Sequence, residues 1–248
     1  MERYKFYCIF LFMLSKSCFS GELIQLAVES SWPPYSNEKG SGISNDIVKK
    51  AFASVDIDVE FIVVPYARAL YMAETGKVDG VFNVTKQKST LEKFNFGEVP
   101  ILQASASFYF HQSSSMNPLS ADDIPTGSSV AVIIGYEYGD TYEKNKVRFN
   151  EVRVSNQEQI IQLLQKQRVD LAIMFDEVAN YTFAEMGKKP DKIKRGHINH
   201  ISQIYVAFSK KKKLDRIIKL FDKGLLNIKS STVGFLEANQ DDVIYPKA

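Results

Sequence analysis

Short apolar segments alternate with amphipathic segments along the first half of the chain, and this alternation constrains the fold more than any other feature. Apolar residues recur every three or four positions over 43–53 and 67–74, the period of a helix with one buried face. The second of these segments stops at Gly76, a residue that commonly follows a helix. The runs at 23–28, 59–64 and 79–82 are short and apolar. A series of strands separated by helices predicts an α/β fold with a mostly parallel sheet.

The second half of the chain repeats this scheme. Strands are predicted at 130–134 and 170–174, and helices at 157–166 and 177–186, the last ended by Gly187. Each half therefore predicts a small sheet flanked by helices. We expect two lobes rather than one large domain.

Two β-rich runs, 101–110 and 201–208, connect the predicted lobes. Each run passes from one predicted lobe to the other without an intervening helix. The two runs therefore predict two crossings that together form a hinge. Two further helices, at 214–226 and 231–238, would complete the first lobe. The predicted boundaries are 21–103 plus 209–248 for lobe one and 104–208 for lobe two.

The N-terminus predicts export. Arg3 and Lys5 precede an apolar run over 6–14, and small residues lead to Ser20. The run is about half as long as the roughly 20 residues of a membrane-spanning helix. We therefore predict a cleaved signal peptide over 1–20 and no membrane insertion of the mature chain; the alternative is an uncleaved anchor. Cys8 and Cys18 would leave with the signal, so no disulfide is expected.

The charge balance argues against a nucleic-acid partner. The chain has 31 basic and 29 acidic side chains, and the predicted signal removes three of the former and one of the latter. The mature net charge is then zero, whereas nucleic-acid binding requires a basic face. The lysine run at 210–213 precedes an apolar stripe at helical spacing, so we interpret it as a solvated helix start.

Short motifs throughout the mature chain resemble those of the bacterial family 3 extracellular solute-binding proteins. The motifs, in order, are Trp32-Pro33-Pro34-Tyr35, Gly42 to Ile47, Pro65 to Leu70, Gly76 to Gly80, Val130 to Gly139, Lys166 to Asp170 and Phe175 to Ala179. The resemblance implies the two-lobed periplasmic-binding-protein fold (type II), whose lobes close around a small polar solute such as an amino acid. It also implies a periplasmic monomer that delivers this solute to an inner-membrane ABC permease, with no cofactor.

The resemblance places a ligand-binding carboxylate at Asp176, which matches the family aspartate that pairs with an ammonium group. Asp176 follows the predicted strand 170–174, at the edge where open α/β sheets place ligands. The alternative is an N-cap of the following helix, a role that aspartate fills well.

Aromatic and polar side chains of lobe one are further candidate ligand contacts. Trp32, Tyr35, Tyr66 and Phe82 lie at predicted strand ends or turns, where they could form walls of the cleft or belong to the core. The prolines after Trp32 favour an extended segment and an exposed position for this side chain. Asn83 and Thr85 follow Phe82 and could donate hydrogen bonds to a ligand carboxylate.

The chain departs from the family pattern where the ligand carboxylate would bind. Amino acid binders of the family have T-x-x-R after this strand, and this chain instead has Thr85-Lys86-Gln87-Lys88-Ser89-Thr90-Leu91. Depending on the register, Lys88, Thr90 or Leu91 stands in the place of the arginine. Lys88 would be an imperfect substitute because lysine lacks the planar fork of arginine. Arg68 could supply the cation, or it could be a solvated residue of a helix start. The ligand could therefore be a small polar solute other than an amino acid.

In lobe two, the segment Gly135-Tyr136-Glu137-Tyr138-Gly139 follows an apolar strand. It could open a helix whose backbone N–H groups face an anion in the cleft. Tyr136 and Tyr138 are candidate ligand contacts.

Two other classes of function share this fold: ligand sensors that act on a chemoreceptor or kinase, and dehydratases. A dehydratase needs an acid or base in the cleft, and Glu137 is the candidate. His111, His197 and His200 have neither catalytic nor metal-ligand spacing, and we interpret them as surface loop residues. We therefore expect a binding protein, not an enzyme, without a metal site.

Overall fold

The computed structural model describes residues 22–187 and 191–238, and the predicted signal peptide with Cys8 and Cys18 lies outside them. The chain forms two lobes, each an α/β layer structure. Within the described residues, no helix combines the length and apolar character needed to span a bilayer.

Lobe one is built on three parallel strands. β1 (Leu23–Glu29) lies between β4 (Asp58–Val64) and β5 (Gly80–Thr85), and the register pairs Leu23 with Asp58 and Glu29 with Val64. All six residues of β5 are buried, as expected of a strand covered on both faces. The other elements of this lobe are β2 (Ser31–Trp32), β3 (Ser36–Asn37), α1 (Ile43–Ala53), α2 (Tyr66–Glu74), α3 (Lys88–Leu91), β6 (Phe94–Phe96) and α7 (Asp215–Ala238).

Lobe two repeats the plan with β8 (Ser129–Ile133), β9 (Asn150–Val154) and β10 (Leu171–Phe175). β8 pairs with both β9 and β10 in parallel. Its helices are α4 (Asp140–Asn145), α5 (Gln157–Gln165) and α6 (Asp176–Glu185). The side chain of Asn156 caps α5 by accepting a hydrogen bond from the backbone N–H of Gln159, which defines the start of this helix.

Two long antiparallel strands join the lobes, β7 (Leu102–His111) and β11 (Ile193–Ser209). They pair with each other along most of their length, so one sheet runs through both lobes in the order β4-β1-β5-β11-β7-β10-β8-β9. The two predicted crossings are present. β11 begins eight residues before the predicted run because its polar first half is an edge strand, bonded on one side only to β7.

The end of the chain differs from the prediction of two helices, because α7 is one helix of 24 residues. The predicted break at 227–230 contains neither proline nor glycine. The Ser230 hydroxyl donates to the backbone oxygen of Asn227 within the helix, which satisfies the serine without interrupting the helix. The lysine run ends before α7 begins, so it is not a helix start, and two of its members also bond to other parts of the lobe. Lys210 donates to the carbonyl of Leu91, and Lys212 pairs with Asp79.

Gly224 allows α7 to pack directly against the backbone of α1. A methyl group at this position would overlap the carbonyl oxygen of Ala51. The contact also includes the Ser54 hydroxyl, which lies 3.4 Å from the Gly224 carbonyl oxygen. The close approach covers the buried face of α1 and stabilises the core of lobe one.

We expect Gly224→Ala to lower the free energy of unfolding by about 1–3 kcal/mol, the usual cost of overpacking. Helix propensity alone predicts the opposite, a gain of about 1 kcal/mol. Urea denaturation measures the sign, with Lys223→Ala as the control because Lys223 is the exposed neighbour on the same helix. A variant more stable than the parent would contradict the packing role.

Candidate functional site

The cleft between the lobes lies at the carboxyl ends of parallel strands from both halves of the sheet. In lobe one, β1 ends at Glu29 and β5 at Thr85. In lobe two, β10 ends at Phe175, and the glycine turn that starts at Gly135 closely follows β8. Open α/β sheets place their ligands at this edge.

Eight residues from the two lobes enclose a small cavity, which we call the cleft cavity: Glu29, Trp32, Tyr66, Asn83, Thr85, Tyr136, Glu137 and Phe175. Its volume of about 10 Å³ is room for about one water molecule. The lobes are therefore closed on each other. Five of the eight are predicted ligand residues, which the structure brings together: Trp32, Tyr66, Asn83, Thr85 and Tyr136.

Two reciprocal tyrosine–glutamate hydrogen bonds cross the cleft. Tyr66 of lobe one donates to Glu137 Oε2 of lobe two at 2.8 Å. In the other direction, Tyr136 donates to Glu29 Oε2 at 2.6 Å. The two phenol rings meet edge to face with centroids 5.0 Å apart. Each lobe thus supplies one acceptor and one donor to the closed state.

Burial dominates the electrostatics of both glutamates. It raises the pKa of Glu29 to about 8; the hydrogen bond from Tyr136 acts in the opposite direction and the charge of Glu137 adds to the rise. Burial likewise raises the pKa of Glu137 to about 8, against the hydrogen bond from Tyr66. In this closed conformation, both carboxyls are mainly protonated at neutral pH.

Trp32 makes a second aromatic contact between the lobes. Its ring stacks on Tyr35 with centroids 4.4 Å apart and meets Phe175 of lobe two edge to face at 5.3 Å. Only 1% of Trp32 is exposed, so the expectation of an exposed side chain is wrong. The reason is that Trp32-Pro33-Pro34-Tyr35 forms a tight turn rather than an extended segment, with the Tyr35 N–H donating to the Trp32 carbonyl.

Asn83 is directed to the cleft by a β-bulge. The pairing of β5 with β11 shifts its register at this point and leaves Asn83 without a partner residue, with a left-handed φ of 68°. Its Nδ2 donates to Ser36 Oγ at 3.1 Å, while its buried Oδ1 has no hydrogen-bond partner. The buried Nε1 of Trp32 also has none. A bulge that presents unpaired polar atoms to a cavity is typical of a ligand-binding site.

Asp176 lies in a hydrogen-bond network within lobe two. Its carboxylate accepts from Tyr109 Oη at 2.8 Å, Ser107 Oγ at 3.1 Å and Arg195 Nη2 at 2.6 Å. The N-cap interpretation is wrong, because Asp176 is the first residue of α6, Phe175 is the N-cap, and neither side chain caps the helix. Asp176 is not among the residues that line the cleft cavity.

Two predicted aromatic contacts are core residues in this structure. Phe82 is fully buried in the core of lobe one, where its ring packs on Phe61. Tyr138 is buried in the core of lobe two, and its hydroxyl accepts a hydrogen bond from the backbone N–H of Ile133. Neither lines the cleft cavity.

The two candidate cations, Arg68 and Lys88, are exposed and do not line the cleft cavity. The position of the family arginine falls in α3, where Thr90 turns inward and its hydroxyl donates to the Thr85 carbonyl at 2.7 Å. The glycine turn of lobe two does open a helix, α4, at Gly139. However, α4 has only six residues and carries Asp140 and Glu143 in its first turn, which disfavours an anion there.

Sequence reasoning missed three residues that the structure places at functional positions. Glu29 directly follows the predicted strand 23–28, and Phe175 directly follows 170–174 and begins a family motif, yet neither is predicted as a ligand contact. Each is the last residue of its strand, which is the available signal. Arg195 lies in a polar run without a motif and reaches Asp176 only through the pairing of β11 with β7.

All three histidines lie on strands, so their interpretation as loop residues is wrong. His200 packs its ring on Phe175, and burial lowers its pKa to about 4. Asn199 Nδ2 can only donate, so Nδ1 of His200 accepts and the proton of the neutral ring lies on Nε2. Across the described part of the chain, no cluster of three or more histidine and acidic side chains could hold a metal ion.

Solved structures confirm the fold. An ancestral arginine-binding protein bound to arginine aligns with a TM-score of 0.69 at 19% identity, covering 84% of this chain and 92% of that chain. The amino acid ABC transporter substrate-binding protein AbpA from Streptococcus pneumoniae, bound to L-arginine, aligns with a TM-score of 0.68 at 18% identity, covering 85% and 90%. A histidine kinase sensor domain with similarity to periplasmic binding proteins aligns with a TM-score of 0.73 at 15% identity, covering 91% and 99%.

These likenesses establish the two-lobed periplasmic-binding-protein fold, type II, as predicted. No curated protein matches the chain. The family model for bacterial extracellular solute-binding proteins, family 3, matches residues 24–233, and the chain therefore belongs to this family.

Proposed function

We propose that the protein captures a small polar solute by closing its two lobes on the cleft cavity. The observation that carries this proposal is the pair of tyrosine–glutamate hydrogen bonds that cross the cleft beside the Trp32–Phe175 contact. These contacts hold the lobes together through polar atoms that a solute can replace. A buried cavity with a few convergent polar groups and aromatic walls is the usual form of a small-molecule site.

The hinge of this closure consists of β7 and β11. We propose that residues 21–103 plus 209–248 form one lobe and 104–208 the other, and that the strand pair flexes where β11 departs from regular pairing with β7, while Ile204 to Phe208 stay paired with β5 of lobe one. Register shifts occur between Arg195 and Ile198 and between Ile198 and His200. Bulged pairing bends more easily than a regular ladder.

We also propose that the mature chain is a periplasmic monomer that delivers its solute to an inner-membrane ABC permease. Membership in an extracellular solute-binding family supports this proposal, as does the likeness to AbpA, which is described as a transporter substrate-binding protein. The predicted signal peptide is consistent with export.

A sensor function is the second candidate, supported by the likeness to a histidine kinase sensor domain along almost all of that domain. A dehydratase is less well supported. Glu137 does lie in the cleft with a raised pKa, as a general acid would. However, prephenate is a dianion, and the cleft cavity offers it two glutamates and no cationic side chain.

Trp32, the only tryptophan of the chain, makes solute capture directly measurable. We expect a cleft ligand to change its fluorescence, because any movement of the lobes alters the contact with Phe175. The same ligand should raise the melting temperature, since a concentration of a thousand times Kd stabilises the folded state by about 4 kcal/mol.

A panel of amino acids, amines, carboxylates and small peptides tests this expectation, with Phe175→Leu as the matched variant. Phe175→Leu should reduce the fluorescence change more than the thermal shift, because the fluorescence change depends on the Trp32–Phe175 contact. Absence of both signals across the panel, together with turnover of prephenate, would contradict the capture function.

The ammonium role that the resemblance implies for Asp176 stays a proposal. We expect Asp176→Ala to lower the free energy of unfolding by about 1–3 kcal/mol, because the buried hydroxyls of Tyr109 and Ser107 lose their acceptor. Chemical denaturation checks this effect, and titration of an ammonium ligand checks the role in binding. A tenfold or greater loss of affinity would support the ammonium contact, whereas unchanged affinity would leave Asp176 a structural role alone.

A further inference from the structure

We propose that the cleft cavity binds a small organic cation, an aliphatic amine or guanidine without a carboxylate, between Glu29 of lobe one and Glu137 of lobe two. This inference rests on the proposed capture function and names the chemical class of the solute.

Both glutamates lack a cationic partner. Glu29 is 3% exposed and Glu137 is 9% exposed, yet neither belongs to an ion pair among the described residues. Lys93 lowers the pKa of Glu137, but it lines a second cavity on the other side of Glu137 rather than the cleft cavity. It is also paired with Glu74 at 3.4 Å. Burial without a cationic partner keeps both carboxyls protonated, so a cation brought by a ligand is the partner that would stabilise their charged forms in this cavity.

The other walls of the cleft cavity also favour a cation that carries N–H groups. The rings of Trp32, Tyr136 and Phe175 surround the space, and aromatic faces attract a desolvated ammonium or guanidinium. The unpaired Oδ1 of Asn83 is an additional acceptor at the end of β5. The acceptors therefore come from both lobes and can join them through one ligand.

A ligand carboxylate has no corresponding partner. The eight residues of the cleft cavity include no lysine, arginine or histidine. Arg68 and Lys88 are exposed elsewhere on lobe one. An α-carboxylate in this space would find no cation to pair with, and it would be repelled by Glu29 and Glu137 wherever either is ionised.

The tyrosine hydroxyls occupy the positions that the cation would take. Tyr136 and Tyr66 each donate one neutral hydrogen bond to a glutamate across the cleft. A charge-assisted hydrogen bond from an ammonium or guanidinium is about twice as strong as a neutral one. The cation can therefore replace both phenols and bridge the two lobes, which must move apart to admit it because the closed cavity has room for about one water molecule.

Matched ligand pairs test the proposal directly. Agmatine differs from arginine, and putrescine from ornithine, only by the absence of the carboxylate. We expect calorimetry and Trp32 fluorescence on the mature protein to show agmatine or putrescine binding at least about tenfold more tightly than its amino acid partner.

Three other outcomes are informative. Tighter binding of arginine or ornithine, with the preference lost in Arg68→Ala, would overturn the inference and leave the capture function intact. Binding of neutral amino acids alone would also overturn the inference and leave the capture function intact. No response to any compound would overturn both proposals.

Charge-neutralising variants test the two glutamates. Glu29→Gln and Glu137→Gln keep the size of the side chain and an acceptor for the tyrosine hydroxyl, so the fold should be retained. We expect each to weaken agmatine binding about ten- to a hundredfold, with an unchanged or higher melting temperature because a neutral amide is less costly to bury. Glu92→Gln, an exposed site of the same lobe, is the control and should bind as the parent does. Parent-like affinity in both cavity variants would overturn the proposal.

The pH dependence gives an independent readout. Both glutamates have a pKa of about 8 in the closed, ligand-free state, and each must release its proton to solvent to hold a cation. The charged groups that act on the pair are Lys93 and Glu143, on the side of Glu137. Amine affinity should therefore rise with pH by up to about tenfold per unit for each glutamate, and level off above pH 8.

Calorimetry at pH 7 in two buffers of different ionisation enthalpy should show proton release on binding. The folding stability of the ligand-free protein has the opposite pH dependence. The raised pKa values stabilise the fold fully below about pH 4.5, and this contribution is lost as the pH rises through about 8. Agmatine affinity that is flat between pH 6 and 8, with no proton release, would overturn the role of the glutamates.

Discussion

The antiparallel pairing of β7 with β11 determines where every other part of the molecule lies. Their ladder runs from Leu102 opposite Ile204 to His111 opposite Ile193, and it carries both lobes in one sheet. The same pairing places Arg195 opposite Tyr109, and thereby beside Asp176. Both crossings lie side by side, so the hinge that we propose runs along this strand pair, with the cleft at the strand ends beside it.

The sequence predicted the elements whose side chains have a strong period or a continuous apolar run. Helices such as α1 and α5 bury residues at a spacing of three and four, and β10 is a run of five buried residues. The sequence did not predict the polar first half of β11 or the charged strand β9. Both are edge strands bonded on one side, so their side chains need not be apolar.

The candidate site was less predictable than the fold, because its residues come from distant parts of the chain and meet only in the folded, closed structure. Tyr66 and Tyr136 resemble any aromatic residue near a turn until the closure of the lobes brings each to a glutamate of the opposite lobe. Phe82 and Asn83 are neighbours in the chain, yet one is in the core and the other reaches the cleft. The bulge that separates them is a property of the pairing between β5 and β11, and no local motif marks it.

In the closed state the partners of Glu29 and Glu137 are neutral tyrosines, and a lysine or arginine in place of either tyrosine would change how a ligand competes for the glutamates. An internal cation would pair permanently with Glu29 or Glu137, and an incoming ligand would have to break that ion pair. A tyrosine hydroxyl instead donates to the glutamate in either protonation state and can be displaced by a charged donor, since the phenol itself stays neutral. A ligand shifts the equilibrium between open and closed lobes only through its differential affinity for the two states. In the site that we propose, neutral donors that a ligand can displace make this difference in affinity large for a cation and small for a solute without a positive charge.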